Sequence, residues 1–115
     1  MQSNFEVNQA AICSKFNALF FPCDMSLMVG ISRNVKDGKV HLNGMRVRPE
    51  NGTCGWYIWA GEEFSSDGDF FVPLHASHLE VWAPLAIRFL GLPPGWRFLV
   101  TNDYEDVWED KQLKI

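Results

Sequence analysis

The segment NGTCGWYIWAGEE, residues 51–63, decides the predicted fold. Asn51-Gly52 is a strong signal for a hairpin turn, and Gly55 leads directly into a strand. Apolar side chains occupy both faces of that strand, with Trp56, Ile58 and Ala60 on one face and Tyr57 and Trp59 on the other. Because neither face is polar, we predict a central strand that is covered on both sides.

Further strands are predicted on either side of this segment. Residues 27–31 form a short apolar run. In VHLNGMRVR, residues 40–48, apolar and basic residues alternate at the end of the segment, which places Arg46 and Arg48 on a solvent-facing side. In WRFLV, residues 96–100, the alternation aligns the apolar side chains of Trp96, Phe98 and Val100. Asn102-Asp103 then provides a turn into a last strand, so the chain is predicted to end in a hairpin.

Helices are predicted in two regions. An N-terminal helical stripe runs up to Pro22, which ends it, and comprises Phe5, Ile12, Phe16, Leu19 and Phe20. The second helix follows a predicted loop over residues 65–76 and starts with capping-box spacing at Ser77 and Glu80. Pro84 splits it into a turn up to Ala83 and a piece over residues 84–90. One further helical turn is predicted between Ser32, as N-cap, and Gly38.

The order of these elements predicts an α+β domain. Its mainly antiparallel sheet has about five strands, with the Pro-interrupted helix between the third and fourth. At 115 residues the chain is predicted to form a single domain, 1–115, with a helical extension over 1–26 and a core over 27–112.

The charge distribution limits the classes of partner that the protein could bind. The net charge is -4, which disfavours nucleic acid and anionic membranes as partners. Residues 1–48 contain six basic and three acidic side chains, whereas residues 49–110 contain eleven acidic and only two basic ones. The start of the chain has no basic n-region or long apolar core, and no apolar run is long enough to span a membrane, so neither a signal peptide nor a membrane span is expected. With three cysteines that lack metal or disulfide spacing, we expect reduced thiols and a cytoplasmic location.

Catalytic and metal-binding motifs are weak. His41, His75 and His78 lack metal-ligand spacing, and Asp67 and Asp69 match only a fragment of a calcium loop, so no metal or cofactor is predicted. A hydrolase remains an alternative. It would use Cys54 with His75 and Glu62, or a carboxylate pair such as Glu62/Glu63 or Asp106/Glu109.

The acidic end of the chain suggests protein recognition instead. TNDYEDVWED, residues 101–110, concentrates five carboxylates around two aromatic residues, with no basic residue in the segment. Uncompensated carboxylates speed encounter with a basic protein, and aromatic side chains provide anchors. The predicted partner-binding residues are Glu62, Glu63, Asp67, Asp69, Asp103, Tyr104, Glu105, Asp106, Trp108, Glu109 and Asp110.

Several stretches together resemble the immunity protein 33 family of bacterial polymorphic toxin systems. They are MVGISRNVKDGKV, CGWYIWAGEE, DGDFF, WAPLAIRFLGLPPGWRFL and YEDVWED, and the resemblance covers residues 27–112. It implies an α+β domain without catalysis that binds and neutralises a toxin in the cytoplasm of the producing cell. The longer apolar N-terminal segment and VHLNGMRVR depart from the family pattern.

We therefore predict a non-catalytic immunity protein that occludes a cognate toxin with an acidic, aromatic-bearing surface. A basic toxin such as a nuclease would match this charge, because its active site must hold phosphate. Two alternatives stay open: the small hydrolase, and a structural or regulatory domain that dimerises through its N-terminal helix. The sequence is compatible with a monomer or a homodimer.

Overall fold

A computed structural model describes residues 4–37, 41–61 and 70–113. Six strands form one sheet in the order β4-β1-β3-β2-β5-β6. The strands are β1 (Met28–Ser32), β2 (Leu42–Arg46), β3 (Thr53–Ala60), β4 (Phe71–His75), β5 (Trp96–Val100) and β6 (Glu105–Glu109). Only β1 and β3 pair in parallel, whereas every other pair in this sheet is antiparallel. The predicted α+β class with a mainly antiparallel sheet is confirmed.

The strand that the sequence did not reveal is β4. Residues 71–75 were predicted to lie in a loop, but they pair with β1 along their full length. Pro73 lacks an amide hydrogen and therefore suits the edge of the sheet, where β4 lies. The sheet thus has six strands instead of about five, and the Pro-interrupted helix follows the fourth strand.

The N-terminal helix, α1 (Asn4–Lys15), is shorter than predicted. Asn17 adopts a left-handed conformation with φ of 58°. The amide of Ala18 donates to the carbonyl of Cys13, and the amide of Asn17 donates to that of Ser14, which is a Schellman-type helix end. Leu19 consequently lies outside the helix and is 82% exposed, so its assignment to the buried stripe was wrong.

The second helical region is broken as predicted. It comprises a 3₁₀ turn (Ala76–His78), the short helix α2 (Leu79–Trp82) and a 3₁₀ segment that starts at Pro84 (Pro84–Phe89). The predicted capping box is wrong, because His78 occupies the N-cap of α2 and makes no side-chain cap bond. A further 3₁₀ turn (Arg33–Asp37) follows Ser32 as predicted, while Gly38 lies outside the described residues.

The central position of β3 is confirmed. This strand lies between β1 and β2, and Trp56, Ile58 and Trp59 are all buried. The indole nitrogen of Trp56 donates to the carbonyl of Leu90 at 3.0 Å, so its one polar atom is satisfied inside the core. Gly52 has a φ of 79° in the predicted turn between β2 and β3.

The core lies between the sheet and the helical segments. Phe89 of the 3₁₀ segment stacks on Phe98 of β5, with ring centroids 4.6 Å apart. Phe98 in turn covers Gly44 of β2, where an added Cβ would overlap its ring. The absence of a side chain at Gly44 therefore creates the space that the stacked rings occupy.

Arg46 contradicts the prediction of a solvent-facing side on β2. Its side chain is only 1% exposed and points into the core, whereas Arg48 is exposed. The guanidinium is satisfied by carbonyl oxygens, including those of Cys54 at 2.9 Å and Leu92 at 2.8 Å. Because these acceptors come from distant segments, the alternation of polarity along β2 did not reveal the burial.

Candidate partner-binding surface

The acidic segment forms the terminal hairpin of the sheet. Its strand β6 pairs on one side with β5 and lies at the edge of the sheet. The amide of Thr101 donates to the carbonyl of Tyr104 and closes the connection, which leaves Tyr104 55% exposed at the tip. Trp108 is 37% exposed, so the hairpin presents both aromatic residues of the predicted surface.

Glu105 is held by two cations. Its Oε2 lies 2.6 Å from Lys15 Nζ, and its Oε1 lies 2.8 Å from Arg88 Nη2. The hydrogen bond from Lys15, aided by Arg88, lowers the pKa of this carboxyl below its ordinary value. Glu105 therefore attaches the edge strand to α1 and to the 3₁₀ segment, and its charge is compensated.

Asp110 is also compensated. Its Oδ2 lies 3.2 Å from Arg97 Nη1, and its Oδ1 accepts a hydrogen bond from the amide of Gln112. That backbone bond, followed by the one from Arg97, lowers the pKa of the Asp110 carboxyl. The Arg97 guanidinium carbon lies 5.7 Å from the ring centroids of both Trp59 and Trp108, which positions Trp108 against the sheet.

These pairs correct the prediction that no basic residue balances the cluster. Lys15, Arg88 and Arg97 are distant from residues 101–110 in sequence but converge on them in the fold. Only the contacts between α1, the 3₁₀ segment and the hairpin reveal this, and no local motif signals it.

Three carboxylates of the hairpin make no ion pair with the described residues. Asp103 and Glu109 are exposed, and Asp106 is half-buried, with its Oδ1 accepting a hydrogen bond from the amide of Val107 at 2.9 Å. We define the β6 surface as Asp103, Tyr104, Asp106, Trp108 and Glu109. It retains the chemical character that the sequence predicted, with three charges in place of five.

The remaining predicted site residues lie elsewhere in the chain. Glu62, Glu63, Asp67 and Asp69 fall outside the described residues, so their participation stays a prediction. Within residues 4–37, 41–61 and 70–113 no group of three or more His, Cys, Asp or Glu side chains is placed to hold a metal ion. No helix in those ranges is long and apolar enough to cross a membrane.

The described residues of the hydrolase alternative differ in exposure. Cys54 is buried, whereas His75 is exposed and contacts the ring of His78 edge-on. An open groove of about 290 Å³ lies on the sheet beside Gly30, with Tyr57 and Phe71 in edge-to-face contact. Its lining includes neither Cys54 nor the Asp106/Glu109 pair. That groove therefore brings together none of the proposed catalytic groups that the structure describes, while Glu62 and Glu63 lie outside the described residues.

Comparison with known protein families decides the assignment. A family model for the Imm33-like domain matches residues 8–110, which is nearly the whole chain. The chain belongs to the Imm33-like domain family. No curated protein and no solved structure gives a significant match to the chain.

The match to the Imm33-like domain extends further than the resemblance suggested by individual motifs. It begins within α1 and ends just after β6, so it includes the six described strands, most of α1 and the whole second helical region. The suspected immunity protein 33 family is thereby confirmed. The family name suggests an immunity protein, for which a partner toxin and a non-enzymatic role are expected.

Proposed function

We propose that this Imm33-like domain is a non-catalytic immunity protein that binds and occludes a cognate toxin in the cytoplasm of the producing cell. The family match over residues 8–110 is the observation that carries this proposal. The β6 surface is the proposed contact region, with Glu62, Glu63, Asp67 and Asp69 as further candidates. The binding species in this proposal is a monomer or a homodimer, which sedimentation at several concentrations distinguishes.

Charge is the first contribution of the β6 surface. Asp103, Asp106 and Glu109 are not neutralised by ion pairs with the described residues, so their field extends into solvent. Such a field accelerates association with a basic protein and weakens as salt is added. Glu105 and Asp110 take a different role in this proposal, because their cations hold the strand that carries the other three.

Aromatic anchoring is the second contribution. Tyr104 projects from the hairpin tip, while Trp108 lies beside Arg97, which limits the freedom of its ring. Large aromatic side chains that are ordered before binding lose little entropy and often dominate interface energies. We therefore expect the carboxylates to control the association rate and the two aromatic rings to control the dissociation rate.

The proposed partner is a basic toxin domain, for which a nuclease is the leading example. A nuclease needs Lys and Arg at its active site to hold phosphate. Carboxylates at the edge of the sheet match that charge, and an inhibitor that occupies the site excludes the nucleic acid. This choice of partner rests on charge complementarity.

The test uses the toxic domain encoded beside this chain in its native genome. Co-expression with the wild-type chain is expected to restore growth, and the purified proteins are expected to form a complex. The variant Asp106→Lys/Glu109→Lys should lower the association rate about tenfold and weaken its salt dependence. Trp108→Ala should raise the dissociation rate about tenfold, which corresponds to about 1.4 kcal/mol.

Glu80→Lys provides the matched control, since Glu80 is an exposed carboxylate on α2 outside the β6 surface. It should leave the kinetics close to wild type. If both β6 variants bind like wild type, the toxin docks elsewhere and the assigned surface is wrong. If the wild-type chain neither binds nor protects, the immunity function itself is overturned.

A further inference from the structure

Arg46 is a buried cation without a carboxylate partner among the described residues. Its Nη1 donates to the carbonyl oxygens of Phe21, Leu90 and Leu92 at 2.8, 3.1 and 2.8 Å. Carbonyl groups satisfy the N–H donors but carry no formal charge to offset the guanidinium. Burial accordingly lowers the pKa of Arg46, although a guanidinium remains protonated at neutral pH. The site therefore favours any nearby group that can become an anion.

The backbone segments of two cysteines flank this cation. Arg46 Nε donates to the carbonyl oxygen of Cys54 at 2.9 Å, and its Nη groups reach the carbonyls of Phe21 and Pro22, which immediately precede Cys23. One guanidinium thus holds together the two backbone segments that carry the cysteines. Both side chains are buried, and Cys23 Sγ makes a weak contact with the carbonyl oxygen of Asp24 at 3.9 Å. Each thiol is the first cause of the shift in the other's pKa, which is consistent with neighbouring sulfur atoms.

We propose that Cys23 and Cys54 form a peroxide-sensitive dithiol that closes into an intramolecular disulfide. Neither the family assignment nor the proposed toxin binding requires this chemistry, so the inference stands apart from both. The proposal rests on the convergence of the two backbone segments that carry Cys23 and Cys54 on one buried guanidinium without a carboxylate partner among the described residues.

The surroundings assign different roles to the two sulfur atoms. The hydrogen bond from Cys23, together with Arg46, lowers the pKa of Cys54 to about 7, so Cys54 is the thiolate and the nucleophile. The same hydrogen bond, together with burial, raises the pKa of Cys23, which stays protonated until its partner has reacted. Burial also raises the pKa of the third cysteine, Cys13, and its Sγ instead donates to the carbonyl of Gly91 at 3.3 Å.

The reaction balances with hydrogen peroxide as the oxidant. The Cys54 thiolate attacks one peroxide oxygen, the S–O bond forms, the O–O bond breaks, and hydroxide leaves to give a sulfenic acid. The sulfur of Cys23 then attacks Cys54 Sγ and displaces the hydroxyl group, which leaves as water with the Cys23 proton. Two thiols are oxidised by two electrons, and one peroxide is reduced to two waters.

Access to the pair runs through the linker between α1 and β1. Pro22 and Asp24 on either side of Cys23 are exposed, so small local displacements of this segment open a path to the sulfur atoms. The resulting disulfide would join the linker covalently to β3 across residues 23–54. A crosslink of that span restricts the unfolded chain, so the oxidised protein should melt at a higher temperature than the reduced one.

The experiment treats the folded, reduced full-length chain with hydrogen peroxide and then counts free thiols in denaturant. The count should fall from three to one, and digestion without reductant should yield a peptide pair linked through Cys23 and Cys54. Cys13→Ser is the matched control, because it removes a buried cysteine that lies outside the pair. This variant should still form the link between Cys23 and Cys54. Cys23→Ser should stop at a Cys54 sulfenic acid that dimedone traps, and Cys54→Ser should lose most of the reactivity.

Several results would overturn the dithiol. They are oxidation of Cys13 at the same rate as Cys54, links that map between two chains, or thiol loss that occurs only after the protein is unfolded. The linked peptides are measured on the wild-type chain, so the conclusion survives if a serine variant fails to fold. Toxin binding is not used as a readout, which keeps this test independent of the proposed function.

Discussion

Lys15 Nζ and Glu105 Oε2 lie 2.6 Å apart, although ninety positions separate the two residues in the chain. This pair joins the last turn of α1 to the first residue of β6, and Arg88 adds a second cation to the same carboxylate. The edge strand is thereby attached to the helical layer at one end. At its other end, the amide of Asp110 donates to the carbonyl of Gly95 at 2.7 Å. Both ends of the strand that carries the β6 surface are therefore anchored.

Glu105→Gln should reduce the pH dependence of the free energy of unfolding in the acid range. Because the folded protein lowers the pKa of Glu105, its contribution is present above the unfolded value of about 4.3 and is lost as pH falls through the folded value. The contribution is no more than about 1 kcal/mol, since Lys15 is largely exposed. Urea unfolding at several pH values should show wild type and variant converging in acid and separating above pH ~5.

Glu109→Gln is the matched control for that series. Glu109 lies on the same strand but is exposed and makes no ion pair with the described residues, so its loss should leave the pH dependence close to wild type. If Glu109→Gln flattens the curve as much as Glu105→Gln does, the ion pairs of Glu105 are not the cause.

Arg46→Met should be the most damaging single substitution among those considered. It keeps much of the apolar stem but removes the donors to Cys54, Leu92 and the linker carbonyls, and unpaired buried acceptors are costly. We expect a loss of about 3–5 kcal/mol in the free energy of unfolding, measured by chemical denaturation, because several buried carbonyl oxygens lose their donor at once. Arg33→Met, at an exposed position, should change stability by less than about 0.5 kcal/mol. If Arg46→Met is as stable as wild type, the free energy cost of burying the guanidinium equals the free energy that its hydrogen bonds contribute.

Gly44→Ala should destabilise the core by about 1–3 kcal/mol, because the new methyl group meets the ring of Phe98. That ring cannot shift freely, since it stacks on Phe89 and also contacts Trp56. Phe98→Leu removes the obstruction, so the double variant should lose less stability than the sum of the two single losses. Thermal and urea unfolding of all four proteins completes the cycle, and simple additivity would contradict the proposed overlap.

Much of the architecture could be predicted from local pattern. The double-sided apolar strand around Trp56 identified the centre of the sheet, Asn51-Gly52 identified the hairpin, and Pro84 identified the break in the second helix. These features are encoded within a few consecutive residues, because side-chain alternation and backbone restrictions act over that range. The protein-recognition residues of the hairpin were also predicted from local pattern, and their role in binding stays a prediction.

Other features depended on partners that are remote in sequence. The strand β4 is short and contains Pro73, so its pairing is evident only once β1 lies beside it. Leu19 fitted a helical stripe, but the left-handed Asn17 ends α1 before that residue is reached. In both cases a local preference was overridden by a contact or a chain reversal that periodicity does not encode.

By itself, the sequence determined the α+β class, the central strand and the acidic, aromatic character of the last hairpin. Only the tertiary structure decided which charged side chains remain exposed to solvent without an ion pair. It buried Arg46 among carbonyl oxygens and neutralised Glu105 and Asp110 with distant cations. The physical reason is that the pattern of apolar residues is a property of neighbouring positions. The free energy of a charge, in contrast, depends on every group that the fold brings within a few ångströms of it.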